Sequence, residues 1–168
     1  HARMLTFSIS DGAIPSNDGR GYVLRRILRR AARYGRNLGM NDAFLYKLVP
    51  IVVAVMGEAY PELNERVAYI QKVIKSEEDS FSQTLGRGLQ IFAGMVKDAK
   101  SASQKTLSGE NVFKLYDTFG FPVDLTSLMA DEEGFNVDLE SFEVLMNSQR
   151  EKARQATQLK QTHTKGSK

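Results

Sequence analysis

Apolar residues recur along most of this chain at the three- and four-residue spacings of a helix, and polar punctuation divides the pattern into segments. Between Tyr22 and Tyr34, Leu24, Ile27, Leu28 and Ala31 occupy an arc of about 100°, while Arg25, Arg26, Arg29, Arg30 and Arg33 fill an arc of roughly 140° on the other side. One face belongs to a core and the other is a stripe of guanidinium groups. Gly35 and Gly39 end this helix, and Asn41 or Asp42 is placed to cap a second, through Phe44, Leu45 and Leu48, with a kink or restart at Pro50 and an end at Gly57. From Pro61, the residues Leu63, Val67, Ile70, Ile74, Phe81, Leu85, Leu89, Phe92 and Val96 predict one long helix, in which Gly86 and Gly88 make a bend or break expected.

After the polar connector Lys100 to Gly109, a short helix stops at Gly120, another starts at Pro122 and closes at Gly134, and Asp138 caps a last one containing Leu139, Phe142, Leu145 and Met146. No segment alternates as a strand over more than four residues. The predicted fold class is therefore all-α: an irregular bundle of about six helices over residues 1–150, followed by a polar tail or linker over 151–168, a fraying helix and then disorder.

Composition narrows the chemistry. A 168-residue chain with 42% hydrophobic and 26% charged residues has the make-up of one globular domain. The most apolar run, "LVPIVVAVMG" from Leu48 to Gly57, is too short to span a bilayer and reads as a buried helix, with no membrane partner. There is no cysteine, and the only histidines are His1 and His163, which excludes a disulfide framework and nearly excludes a zinc site. A start at His1 without a charged-then-apolar leader suggests a piece of something longer, and the absence of cysteine fits the cytoplasm.

No nucleophile–base pair, G-x-S-x-G turn or Walker loop is present, so no catalytic residue is assigned. "TLGRGLQ" lies in a helical pattern and not after a strand. The acidic runs "SEEDS" at 76–80, with Glu77 and Glu78, and Asp131 to Glu133 read as solvated helix faces.

Charge is distributed unevenly. Residues 1–36 carry eight Arg against Asp11 and Asp18, a local charge of +6, and the remainder carries −3. Such asymmetry points to a polyanionic partner. Arginines at i, i+1, i+4, i+5 and i+8 suit bidentate contact with the phosphates of an RNA duplex, or else with carboxylates elsewhere in a larger protein. The turn "PSNDGRG" feeds directly into this helix, and Asn17 in it is either a turn residue or an amide offered to a base edge. "LYDTFGFPVDL", residues 115–125, sets Asp117 among apolar neighbours, where its carboxylate needs a donor: a backbone N–H, an arginine or a ligand.

Three blocks, "DGAIPSNDGRGYVLRRILRRAARYG", "KSEEDSFSQTLGRG" and "LYDTFGFPVDLT", together resemble the helical tRNA-recognition region of the alanyl-tRNA synthetase family, in the family's order and near its spacing, from His1 to about Arg150. "HARMLTFSISDG" resembles the segment that leads into that region from the catalytic domain. The resemblance implies a class II enzyme that uses ATP and Mg²⁺ to load alanine onto its tRNA. Its catalytic and editing domains, partners of this segment in the same chain, would lie outside it, leaving the segment inactive alone and without cofactor or metal.

It also implies that Asn17 and Asp117 read a G·U pair in the tRNA(Ala) acceptor stem. The wheel adds Arg20, Arg25, Arg26, Arg29, Arg30 and Arg33 as contacts to the tRNA backbone. The competing expectation is a helical protein-interaction module with a basic docking face.

Overall fold

The computed structural model describes residues 1–165, with side-chain surroundings through Gln155. The described residues form seven α-helices: α1 Ala2–Ser10, α2 Gly19–Asn37, α3 Val49–Met56, α4 Glu62–Ser101, α5 Gly109–Phe119, α6 Val123–Glu132 and α7 Leu139–Lys165. A 3₁₀ turn, Leu45–Leu48, precedes α3. Two-residue strands β1 (Thr106–Leu107) and β2 (Asn136–Val137) pair in parallel, Thr106 opposite Asn136. The all-α bundle is as expected. The expectation passed over α1, whose Leu5 and Ile9 are fully buried. The predicted tail from residue 151 is helical as far as Lys165, and its last three residues lie outside the described ones.

Helix α4 is the spine. Forty residues run as one helix past Gly86 and Gly88, so the break that was one of the expectations there does not occur. The two glycines differ in their surroundings: Gly86 faces open space, whereas a Cβ on Gly88 would lie 2.4 Å from Cε1 of Phe121. Gly88 is therefore the place where the α5–α6 corner presses on the spine.

Two hydrophobic cores lie along α4. The first joins Leu5, Ile9, Leu24, Leu28, Val49, Val53, Leu63, Ile70 and Ile74, from α1, α2, α3 and the first half of α4. The second joins Phe81, Leu85, Phe92, Leu107, Leu115, Phe119, Phe121, Leu125 and Met129, from the rest of α4, β1, α5, the corner after it and α6, with Ala32 of α2. Helix α3 is buried on one side only. Val49 and Val53, four residues apart, are inside, while Ile51 and Val55, about 200° around the helix, are 60% and 75% exposed. The expected buried helix is thus buried along one side and exposed along the other.

Capping shows how the chain between α2 and α3 is held. Neither Asn41 nor Asp42 caps the next helix. Instead Glu78, on α4 and almost fully buried, accepts from the backbone N–H groups of Phe44 and Leu45 at 3.0 Å each and of Tyr46 at 3.2 Å. Local caps do act at α5 and α7. Ser108 Oγ accepts from Asn111 N, and Asp138 Oδ1 accepts from Ser141 N at 3.0 Å, as its sequence position predicted. The hydrogen bond from Ser141 holds the Asp138 carboxyl below its ordinary pKa.

Candidate nucleic-acid interface

Asn17 is set by the way residues 14–18 fold back over the first turn of α2. Gly21 is essential to that approach, because a Cβ there would lie 2.2 Å from the Ile14 carbonyl oxygen. Ser16 Oγ donates to the Asp18 carbonyl at 3.0 Å and closes the turn. Asn17 and Asp18 are left exposed at the helix N-terminus. Asp117 comes from the last turn of α5, just before Gly120 adopts the left-handed conformation (φ +68°) that turns the chain toward Phe121 and Pro122. The corner is anchored by Phe121, fully buried edge-on to Phe81 with ring centroids 5.6 Å apart.

These two excursions meet. Asn17 and Asp117, 100 residues apart in the chain, line one cleft of about 250 Å³ together with Arg25, Arg29, Tyr22 and Tyr116. A second lobe of about 560 Å³ shares Asn17, Tyr22 and Tyr116 and extends to Phe142, Met146 and Arg150 on α7. Asp117 is exposed and not sunk among apolar groups, and its donor is Gln149, whose Nε2 donates to Oδ1 at 2.5 Å. Burial raises the Tyr22 hydroxyl above its ordinary pKa, so it remains a neutral donor at the cleft wall.

The guanidinium stripe is not a free face. Glu77 Oε1 accepts from Arg25 Nε at 2.9 Å and from Arg29 Nε and Nη2 at 2.9 and 2.7 Å, while its Oε2 accepts from Arg25 Nη2 at 3.1 Å. Arg29 Nη1 also donates to the Gly120 carbonyl, and its guanidinium lies 5.0 Å from the centroid of Phe81. Burial lowers its pKa and Glu77 opposes that shift. Arg30 donates to Asp124 Oδ2 at 2.7 Å, Arg26 Nε lies 2.9 Å from Asp124 Oδ1 as an ion pair, and Arg33 forks onto Glu132. Five guanidinium groups thus meet three carboxylates of this same chain.

The reading of "SEEDS" as a solvated face is corrected accordingly, since Glu77 and Glu78 are 9% and 1% exposed. Both lie on the apolar side of α4, between Ile74 and Phe81, and each is saturated with donors.

The predicted residues therefore separate. Asn17, Asp117, Arg25 and Arg29 share the cleft. Arg26 and Arg30 flank it on Asp124, with 39% and 37% of their side chains still accessible. Arg33 is 8% exposed on the Glu132 side, and Arg20 faces a separate hollow with Met4, Ser8 and Asp11. Sequence reasoning missed Gln149 and Arg150, since nothing in a helix period says which exposed polar residues of α7 will stand over α5. Among the described residues no helix is long and apolar enough to cross a membrane.

Comparison with known proteins adds an independent line. A family model described as tRNA synthetases class II (A) matches residues 1–168. Curated alanine–tRNA ligases are similar to the chain: that of Halalkalibacterium halodurans is 54% identical over 158 residues, 94% of this chain, and that of Enterococcus faecalis 53% over 156 residues, 93% of it. The ligase of Chlorobaculum tepidum is 54% identical over 154 residues, 92% of this chain. The chain spans 17–18% of the length of these relatives.

Proposed function

The chain belongs to the class II (A) tRNA synthetase family, and from that premise we propose that it is the part of an alanine–tRNA ligase that grips the acceptor stem of tRNA(Ala) and reads its G·U pair. What supports this reading is the convergence of Asn17 and Asp117 on one cleft walled by Tyr22, Tyr116 and two arginines.

The minor groove of A-form RNA is wide and shallow, and a wobble pair leaves the guanine 2-amino group there without a partner. Asp117 accepts from that group, and Asn17 contacts the same edge of the pair. An exposed carboxylate beside a polyphosphate is otherwise repelled, so cations must offset it. Arg26 and Arg30 keep accessible edges for phosphates, and Arg20 reaches the backbone from the neighbouring hollow. Arg25, Arg29 and Arg33 lend positive potential from their ion pairs.

In the complete ligase, ATP and Mg²⁺ supply the activation of alanine. Among the described residues no group of three or more His, Asp or Glu could hold a metal ion. The cytoplasm, where tRNA is charged, is the proposed location.

The test is binding of acceptor-stem minihelices to the chain across a salt series. Affinity is expected to fall steeply with salt, and G·U to be preferred over G·C. Asp117→Ala is expected to reduce that preference by about tenfold, a discrimination of the size carried by one polar base contact, while retaining the salt dependence. Equal loss on both stems would refute base reading by Asp117. A salt effect without any stem preference would leave only a general polycation, the alternative of a basic docking module.

A further inference from the structure

The bonds around Asn17 fix more than its position. A guanidinium has donors only, so the atom of Asn17 that faces Arg25 Nη1 must be the carbonyl oxygen Oδ1. The amide is thereby polarised: Oδ1 is taken by Arg25, and the Nδ2 amino group remains as the donor of a side chain that lines the cleft. Across the cleft the arrangement is complementary. Gln149 occupies Oδ1 of Asp117, which leaves Oδ2 as a free acceptor. Between them, these two side chains offer the cleft one donor, from Asn17, and one acceptor, from Asp117.

The donor's orientation depends on Arg25, and Arg25 is held from behind by Glu77. Glu77 takes Nε and Nη2 of Arg25, so Nη1 is the one edge of that guanidinium directed toward the turn. The same carboxylate takes Arg29, whose Nη1 meets the carbonyl of Gly120 at the corner beside Asp117. One buried carboxylate on α4 thus orients the Asn17 turn and the Asp117 corner together, although it faces neither the cleft nor its ligand.

We propose that Glu77 is a positioning residue for base reading: through Arg25 it sets the Asn17 amide with its amino group outward, so that the cleft requires an acceptor and a donor on the same minor-groove edge of the stem. This rests on the proposed stem-reading function. The donor demanded by Asp117 is the guanine amino group. The acceptor demanded by Asn17 is uracil O2 or guanine N3, the acceptors that this edge displays.

Two measurements on the 168-residue chain test it. The first compares stems carrying inosine, which lacks the amino group, with stems carrying 2-thiouridine or 3-deazaguanosine, which weaken or delete an acceptor. The unaltered chain is expected to lose affinity about fivefold for inosine and, separately, about fivefold for at least one acceptor-altered stem, the value of a single hydrogen bond. In Glu77→Gln and Arg25→Gln the acceptor penalty should vanish and the inosine penalty remain. Arg25→Gln retains the Glu77–Arg29 pair, so it carries the test if Glu77→Gln does not fold.

An acceptor penalty that persists in either folded variant overturns the inference. An inosine penalty without any acceptor penalty in the unaltered chain also overturns it, while leaving stem reading intact. No penalty from any of these stems would refute stem reading itself. The second measurement tests the positioning itself without RNA: by NMR of the free chain, the Arg25 guanidinium protons should exchange slowly, and Arg25→Gln should shift the Asn17 side-chain amide pair. An unmoved amide pair overturns it.

Discussion

On either side of Glu77 and Glu78, α4 supports two packing units closed by different means. Toward its N-terminus, Leu5, Leu28, Val49 and Ile74 enclose a core whose least regular stretch, Phe44 to Tyr46, hangs by its main chain from the Glu78 carboxylate. Toward its C-terminus, Phe81, Leu115, Phe121 and Met129 enclose another, and α2 reaches that side through Ala32 and through arginine side chains on Glu77, Asp124 and Glu132. The difference lies in what remains when a carboxylate is removed. Main-chain donors near Leu45 have no other acceptor and cannot move away. Guanidinium groups on flexible stems can swing toward water, most easily where the pair is already half exposed.

That contrast predicts a ranking. Glu78→Ala should be the most damaging change, costing about 3 kcal/mol or more in urea unfolding because three backbone donors lose a charged acceptor at once. The next tests the second unit by volume. Gly88→Ala drives a methyl group into Phe121 and should cost about 1–3 kcal/mol, whereas Gly86→Ala, two residues away in open space, should raise stability by up to about 1 kcal/mol. Thermal unfolding of the pair would show whether the corner truly bears on the spine.

The smallest effect is expected at the exposed end of the charged seam. Arg33 holds the Glu132 carboxyl below its ordinary pKa. A carboxyl lowered in the folded state stabilises it above the ordinary range near pH 4.3 and loses that contribution as pH falls through the folded value. Glu132→Gln should therefore be slightly less stable than the parent at neutral pH and converge with it in acid. The effect is modest because the Glu132 side chain is 40% exposed. Curves that stayed parallel from pH 7 to pH 2 would remove Glu132 from the account.

The helix periods of α2, α4 and α7 were legible because each has one dominant apolar stripe, and Ser108 aside, the caps that could be read were those made within a few residues, such as Asp138. The cap on Phe44 to Tyr46 was not, because it comes from a residue 32–34 positions away. Glu77 and Glu78 did carry a signal. On the wheel they stand about 60° and 40° from Ile74, to either side of the stripe that continues to Phe81. A carboxylate in that place has to be matched by donors, and the matching arginines were already conspicuous in α2. Reading the acidic run by composition and not by angle hid the connection. Asn17 and Asp117 were recognisable as candidates from their blocks, but their joint cleft depends on Gly21, Gly120 and Phe121 bringing two turns together, which no local pattern encodes.

The uninterrupted course of α4 has a consequence for how this architecture tolerates insertions. Forty helical residues extend about 60 Å, and each advances the phase by about 100°. Extra residues in the loops before α3 or after Ser101 leave that phase alone. A single residue inserted between Ile74 and Phe81 would instead rotate the whole second unit by more than a quarter turn against the first, and no side-chain adjustment could bring Glu77 back to face both arginines.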